Sequence, residues 1–228
     1  MNRQPDYSGF LIAIEGIDGA GKTTQAAKVQ ERLQQRKLCV VKTKEPTTGK
    51  WGQMLRDSAV TGRLSLEEEL DAFVKDRREH VDALLNPELR KGSIVIVDRY
   101  YFSNMAYQGA RGMDPEAIRT QNEEFTPEPD LLVILDLEPK TGLDRVRTRG
   151  DKANLFEETG ALTKARAIFN GIKKPYSYRL DATQEPEKLT DQIVHLFSAM
   201  YAGRIIRSNI VREAKIEAVI SLFGSGAA

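Results

Sequence analysis

The chain has 228 residues, 40% of them apolar, and its 34 Lys and Arg almost balance 33 Asp and Glu, for a formal net charge of +1. That length suits one sizeable α/β domain rather than two independent ones, and the composition excludes a disordered, collagenous or membrane-embedded chain. Balanced charge gives no electrostatic footprint for nucleic acid, no apolar run approaches the roughly 20 residues that span a bilayer, and the opening MNRQPDYSG has no signal-like apolar stretch, so a soluble cytoplasmic protein is expected.

In chain order, short apolar runs alternate with longer segments of helical period. FLIAIE (10–15), LCVVKT (38–43), SIVIVD (93–98), LLVILD (131–136) and SYRLDA (177–182) read as strands, the middle ones apolar on both faces as a parallel sheet requires. Cys39, the only cysteine, lies in the second run and reads as a small buried hydrophobe in a reducing compartment. Between the strands, Val29 and Leu33 mark a helix over about 22–36. The segment 65–85 opens with Ser65 and Glu68 in capping-box spacing and carries Leu66, Leu70, Phe73, Val81 and Leu85 as an apolar stripe. Pro139 opens a helix to 148, and Pro186 opens another to about 201. The order predicts an α/β fold of three layers, a five-stranded parallel sheet flanked by helices, with ligands beyond the carboxyl ends of the strands.

Within IEGIDGAGKTTQ (14–25), Gly16-x-x-x-x-Gly21-Lys22-Thr23 fits the phosphate-binding loop in full, with a strand before it and a helix after it. Gly16, Gly19 and Gly21 allow backbone angles and close approach that side chains would block, so successive N–H groups face phosphate oxygens at a helix N-terminus. Lys22 would reach the terminal phosphates, and the Thr23 hydroxyl would bind Mg2+. The motif thus implies a nucleoside triphosphate, with ATP the default. There is no Asn-Lys-x-Asp sequence for reading guanine. A small-molecule kinase instead needs a second anion site, and DRY (98–100) supplies one: Asp98 ends a buried strand and can hold the metal, while Arg99 can clamp a substrate phosphate or form a plain surface ion pair. His80 and His195 fall in helical patterns without a partner motif and read as structural.

Several ordered motifs together resemble the thymidylate kinase family: GIDGAGKTT, KEP (44–46), Phe73 with Arg77, DRY, Ser103 with AYQG (106–109) and Arg111-Gly112, and Asp181-Ala182. The resemblance runs from about Phe10 to about Tyr201 and implies phosphorylation of dTMP to dTDP by Mg-ATP, in a homodimer. It places Asp18 at the sugar hydroxyl, Arg99 at the acceptor phosphate with Arg56 nearby, and Glu45-Pro46 on the acceptor side. Phe73 would stack on thymine, Arg77 would lie beside the base, and Gln108, Ser103 and Tyr107 would line the same pocket. Core packing remains open for Phe73 and Tyr107, a solvated surface for Arg56 and Arg77, and a turn-forming role for Asp18. Thr24, Arg145, Asp181 and Ala182 fall on the ATP side.

Water must be excluded from such a transfer, and the expected lid lies at about 149–160. Arg145, Arg147 and Arg149 cannot share one helix face, because neighbours two apart diverge by about 200°. Arg149 is favoured as the catalytic cation, and Glu157 matches a lid acid near the metal. Lys44, Thr47-Thr48 and Leu155 depart from the family pattern. They leave a kinase of another nucleoside monophosphate, or an ATP-binding switch protein, as alternatives. The kinase domain is expected over 1–203, followed by a helical extension over 204–228 with Ile206, Ile210, Ile216, Ile220 and Phe223 at helix-compatible spacing. That stripe packs either on its own domain or on a partner.

Overall fold

The computed structural model describes residues 8–148, 159–207 and 212–223. Among these, β1 (Phe10–Gly16), β2 (Val40–Lys44), β3 (Ile94–Asp98), β4 (Leu131–Asp136) and β5 (Ser177–Asp181) form one wholly parallel sheet in the order β2-β3-β1-β4-β5. β1 and β3 are buried at every position, as central strands covered on both faces must be, whereas β2 and β5 alternate between covered and open positions at the two edges. The connections run both ways along the sheet, so right-handed crossovers put helices on both faces. β1 sits between β3 and β4, and the chain leaving its carboxyl end enters the crevice where the strand order reverses.

The helices are α1 (Lys22–Gln35), α2 (Lys50–Thr61), α3 (Leu66–His80), α4 (Asn86–Arg90), α5 (Tyr101–Ala110), α6 (Pro115–Glu123), α7 (Pro139–Thr148), α8 (Thr159–Gly171), α9 (Pro186–Arg207) and α10 (Arg212–Phe223). The Ser65–Glu68 capping box forms as the sequence predicts. The helix it opens does not stop at residue 85: α3 passes through one π turn, Val81–Leu85, into α4. α9 continues six residues beyond 201, through the 203/204 position, and α10 packs against it. Leu222 is buried and its carbonyl accepts a 2.5 Å hydrogen bond from Arg36 Nη1, while Ile206, Ile216 and Ile220 are exposed. Ile210 lies outside the described residues. No helix among those described is long and apolar enough to cross a membrane.

Two expectations need correction. The second strand starts at Val40 rather than 38, and Cys39 is exposed rather than buried. At a sheet edge only alternate side chains face the core; Val40 takes that place, and Cys39 turns outward with its carbonyl bonded to Ile94 N at 2.9 Å. The stripe of α3 is also not what the apolar spacing suggests. Val81 and Leu85 are buried in the core as expected, but Leu66, Leu70 and Phe73 are only partly covered, and Glu69, Asp76, Arg77 and His80 share the buried face with Ala72 and Val74. Of these, Glu69 and Arg77 also line a cavity.

Candidate active site

The loop leaving β1 has φ of 140° at Gly16, 81° at Gly19 and 94° at Gly21, all in the region that favours glycine. Gly19 meets an additional constraint, since a Cβ there would stand 2.2 Å from the Gly142 carbonyl oxygen of α7. Gly142 answers in kind, for its own Cβ would stand 2.4 Å from the Asp18 carbonyl. Loop and helix are therefore in backbone contact. Lys22 is buried and donates to the Ile17 carbonyl at 2.8 Å, lying across the loop with Asp18 Oδ1 4.0 Å away. Burial and the nearby Arg99 lower its ammonium to about 8, although Asp18, Asp98 and Glu15 oppose them. Thr23 and Thr24 are exposed at the start of α1. Thr23 Oγ1 donates to Asp98 Oδ2 at 2.5 Å, while Asp98 Oδ1 is buried with no hydrogen bond among the described residues. A hydroxyl beside a carboxylate with an uncommitted oxygen fits Mg2+, a hard cation held by few protein ligands and completed by phosphates and water.

Arg99 follows Asp98 at φ 68°, a left-handed conformation unusual for arginine. Its amide is fixed to Ile14 O at 3.1 Å, and the turn beyond it is fixed by Glu15. The Glu15 carboxylate, fully buried, accepts from Tyr100 N at 2.7 Å, Ser103 N at 3.0 Å and Ser103 Oγ at 2.6 Å. Burial raises it to about 7 against those hydrogen bonds and the charges of Arg99 and Lys22. So held, the Arg99 guanidinium pairs with Asp18. Burial alone would raise the Asp18 carboxyl, but Arg99 and Lys22 outweigh it and lower the group to about 2.

A cavity of about 270 Å³ opens from this pair. Asp18, Arg99, Ser103 and Tyr107 line it together with Glu45, Pro46, Arg56 and Arg77, and Glu69, Phe73, Asn104 and Gln108 are also in its wall. Every acceptor-side residue expected from the sequence thus falls on one surface. Phe73 stands in this wall, outside the buried apolar core. Arg77 is no solvated helix residue: it is 1% exposed, donates from Nε to Glu45 Oε2 at 2.7 Å, from Nη1 to Asn122 Oδ1 at 2.6 Å and from Nη2 to Asn104 Oδ1 at 2.7 Å. His80 has a partner that its sequence context concealed, with Nδ1 3.0 Å from Glu45 Oε1 and Nε2 2.8 Å from Thr43 Oγ1. Burial would raise Glu45, yet Arg77 and His80 hold it below the usual carboxylate range. Arg56 donates to the Thr47 carbonyl at 2.7 Å, and Thr47 in turn binds buried Asp76 through its amide at 2.7 Å and its hydroxyl at 2.6 Å. The departure at Thr47 is accordingly built into the loop, and Lys44 ends β2 exposed.

On the donor side Arg145 reaches from α7 to the Ala182 carbonyl at 3.1 Å and the Gly19 carbonyl at 3.4 Å, tying the phosphate loop to the turn after β5. Asp181 shapes that turn by accepting from Thr183 N and Oγ1. Arg147 is exposed, so the alternate arginines do diverge. Arg149, Leu155 and Glu157 lie outside the described residues. Sequence reasoning missed Glu15, Glu69, Asn104, Asn122 and Gly142. Glu15 alone carries a visible signal, an acid closing an otherwise apolar central strand directly before the loop.

A family model described as thymidylate kinase matches residues 14–193, from the end of β1 into α9. The chain belongs to the thymidylate kinase family. A thymidylate kinase of Akkermansia muciniphila is 49% identical over 193 residues, covering 85% of this chain and 93% of its own. One from Xanthomonas campestris pv. campestris is 49% identical over 197 residues, covering 86% of each chain, and one from Xanthomonas oryzae pv. oryzae is 47% identical over the same share. The chain is thus an enzyme, a kinase of the nucleoside monophosphate class that uses ATP with Mg2+.

Proposed function

We propose that the chain transfers the terminal phosphoryl group of ATP to dTMP, giving dTDP, with its cleft residues divided between donor and acceptor. The observation that carries this reading is the single cavity joining the Asp18–Arg99 pair at the phosphate loop to Phe73 and Gln108. The loop amides at Gly16, Gly19 and Gly21, with Lys22 and Thr24, hold the donor phosphates. Arg145, Asp181 and Ala182 hold the rest of that nucleotide. Thr23, Asp98 and Glu157 are the residues for Mg2+, which when bound supplies positive charge to the transferring phosphoryl oxygens. Arg99, with Arg56 and the Glu45-Pro46 loop beside it, positions the acceptor phosphate. Asp18 takes the sugar hydroxyl, Ser103 and Tyr107 line the sugar, and the bulk of Tyr107 disfavours a ribose. Phe73 stacks on the base, with Arg77 and Gln108 beside it.

An acceptor phosphate is already ionised at neutral pH, so the chain needs no strong general base. Its task is to align two anions and place cations over the charge spread in transfer. Arg149 is the lid cation for that purpose, in a lid about 149–160 that excludes water. A cytoplasmic homodimer without a nucleic-acid partner, its kinase domain over 1–203, completes the reading; the net charge of +1 and the family resemblance support it. The test is ADP formation with Mg-ATP against dTMP, dUMP, UMP, CMP, AMP and GMP, with a control lacking acceptor. A large preference for dTMP is expected. Preference for another acceptor would overturn the base assignment, and ADP formation independent of acceptor would overturn the kinase reading.

A further inference from the structure

Resting on the dTMP reading, we propose that Glu69 is a positioning residue that fixes the direction of the Gln108 side-chain amide. The pocket thereby selects a pyrimidine edge with a ring N–H beside a carbonyl over one with a bare ring nitrogen beside an amino group.

Glu69 is 2% exposed on α3, one turn before Phe73, and Gln108 is 1% exposed on α5 across the cavity. A carboxylate only accepts hydrogen bonds, and a guanidinium only donates them. Glu69 Oε2 accepts from Arg111 Nη1 at 2.7 Å and from Arg63 Nε at 3.1 Å, while Oε1 accepts from Gln108 Nε2 at 3.0 Å. From the other side Arg77 Nη2 donates to Asn104 Oδ1 at 2.7 Å, which turns Asn104 Nδ2 toward Gln108 Oε1 at 3.1 Å. The order is therefore set from both ends, donor at Arg77 and acceptor at Glu69. Turning the Gln108 amide over would set its oxygen against the Glu69 carboxylate and its NH2 against the Asn104 NH2, losing both bonds at once.

Each amide atom keeps capacity for one further bond, a lone pair on Oε1 and an N–H on Nε2. Such an amide complements a base edge that offers N–H and carbonyl side by side, as thymine and uracil do. Cytosine offers the reverse order and needs the reversed amide. Discrimination of this kind, where the wrong ligand leaves buried polar groups unpaired, is far stronger than a pocket achieves by shape.

The experiment compares kcat/KM for dTMP, dUMP and dCMP in the unaltered protein and in Glu69→Gln, with folding checked by thermal melt. In the variant, Arg63 and Arg111 hold the new amide's oxygen and turn its NH2 toward Gln108, so this end opposes the direction still set through Asn104 and the Gln108 amide is no longer held in one orientation. The dTMP-to-dCMP ratio should then fall by about tenfold or more, with the dTMP-to-dUMP ratio unchanged, because both of those bases present the same edge. A merely structural Glu69 would lower all three acceptors alike; that result, or an unchanged ratio, overturns the proposal. Should Glu69→Gln fail to fold, Glu69→Asp is measured in the same way, since its shorter side chain keeps the charge facing Arg63 and Arg111 but draws the carboxylate back from Gln108. Loss of the ratio supports the proposal and its retention overturns it. An unaltered protein that itself fails to prefer dTMP over dCMP refutes the base assignment as well, so the two failures are distinct.

Discussion

Arg77→Met tests whether the floor of the acceptor pocket is held by charge. The guanidinium and the Glu45 carboxylate are 2% and 3% exposed and meet at 2.6 Å, and the same side chain supplies donors to Asn104 and Asn122. A methionine fills most of the volume but leaves a buried carboxylate with only His80 beside it, and deprives two buried amide oxygens of their donor. Breaking a buried ion pair from one side costs about 3–5 kcal/mol, and each orphaned amide oxygen about 1 kcal/mol more. The sum is about 5–7 kcal/mol, comparable with the whole stability of a marginal domain at about 5–15 kcal/mol. For a chain of this length each kcal/mol lowers the melting temperature by about 2–4 °C, so a fall of about 10–30 °C is expected. Urea unfolding at neutral pH gives the free energy directly, and the double variant with Glu45→Gln completes a thermodynamic cycle. Its loss should be smaller than the sum of the two single losses, because no carboxylate is then stranded. A single-variant loss below about 2 kcal/mol, or strictly additive losses, would refute the view that Arg77 neutralises a buried Glu45.

Glu15→Gln should change the pH dependence of stability. The carboxyl, raised from 4.5 to about 7, keeps its proton in the folded protein where the unfolded chain has lost it, so its contribution is full below 4.5 and is lost as pH rises through 7. That loss reaches about 3 kcal/mol. The glutamine variant should lack this slope in urea unfolding between those pH values, and parallel profiles would refute the assignment. Gly142→Ala drives a methyl to 2.4 Å from the Asp18 carbonyl, a backbone atom that no side-chain rotation can clear, so kcat/KM should drop by about tenfold or more. Unchanged kinetics would show that the loop tolerates displacement. Thr47→Val keeps the shape and removes the hydroxyl from Asp76, costing about 1–3 kcal/mol in urea unfolding, with no loss expected if Asp76 is satisfied by the Thr47 amide alone.

What the sequence reveals of this molecule follows the reach of its signals. β1, β3 and β4 are legible because a strand covered on both faces must be apolar throughout, and the phosphate loop because glycine, lysine and threonine recur at fixed offsets between strand and helix. α5 has no stripe to read: Tyr101, Phe102, Asn104, Met105, Ala106 and Gln108 are all buried, so the helix is covered nearly all round. α3 misleads in the opposite way. Its apolar residues at 66, 70 and 73 obey helical spacing yet are only partly covered, while Glu69, Asp76, Arg77 and His80 are buried beside Ala72 and Val74. Periodicity records which residues are apolar, and it is silent about polar residues that bury themselves in pairs drawn from different helices.

That difference separates the two halves of the cleft. In the proposed reading the donor-side groups that meet an anion are backbone amides, and the glycines there matter for the side chains they lack, as Gly19 does against Gly142. A triphosphate presents much the same oxygens whatever its base, so a fixed loop suffices, and such a loop leaves a motif in the sequence. On the acceptor side a base edge must be distinguished, which requires side-chain dipoles of fixed direction. A buried dipole is fixed only when its other bonds are made, so Gln108 needs Asn104 and Glu69, and Asn104 needs Arg77. Arg77 in turn requires Glu45 to balance its charge. The network grows until it ends on charged groups, and its members come from α3, α5, α6 and the loop after β2. Selectivity of this kind is therefore spread over a network that runs from the cavity wall at Gln108 back to buried Asn122, and the acceptor pocket should lose discrimination through substitutions at Glu69 that leave the residues around the sugar and phosphate in place.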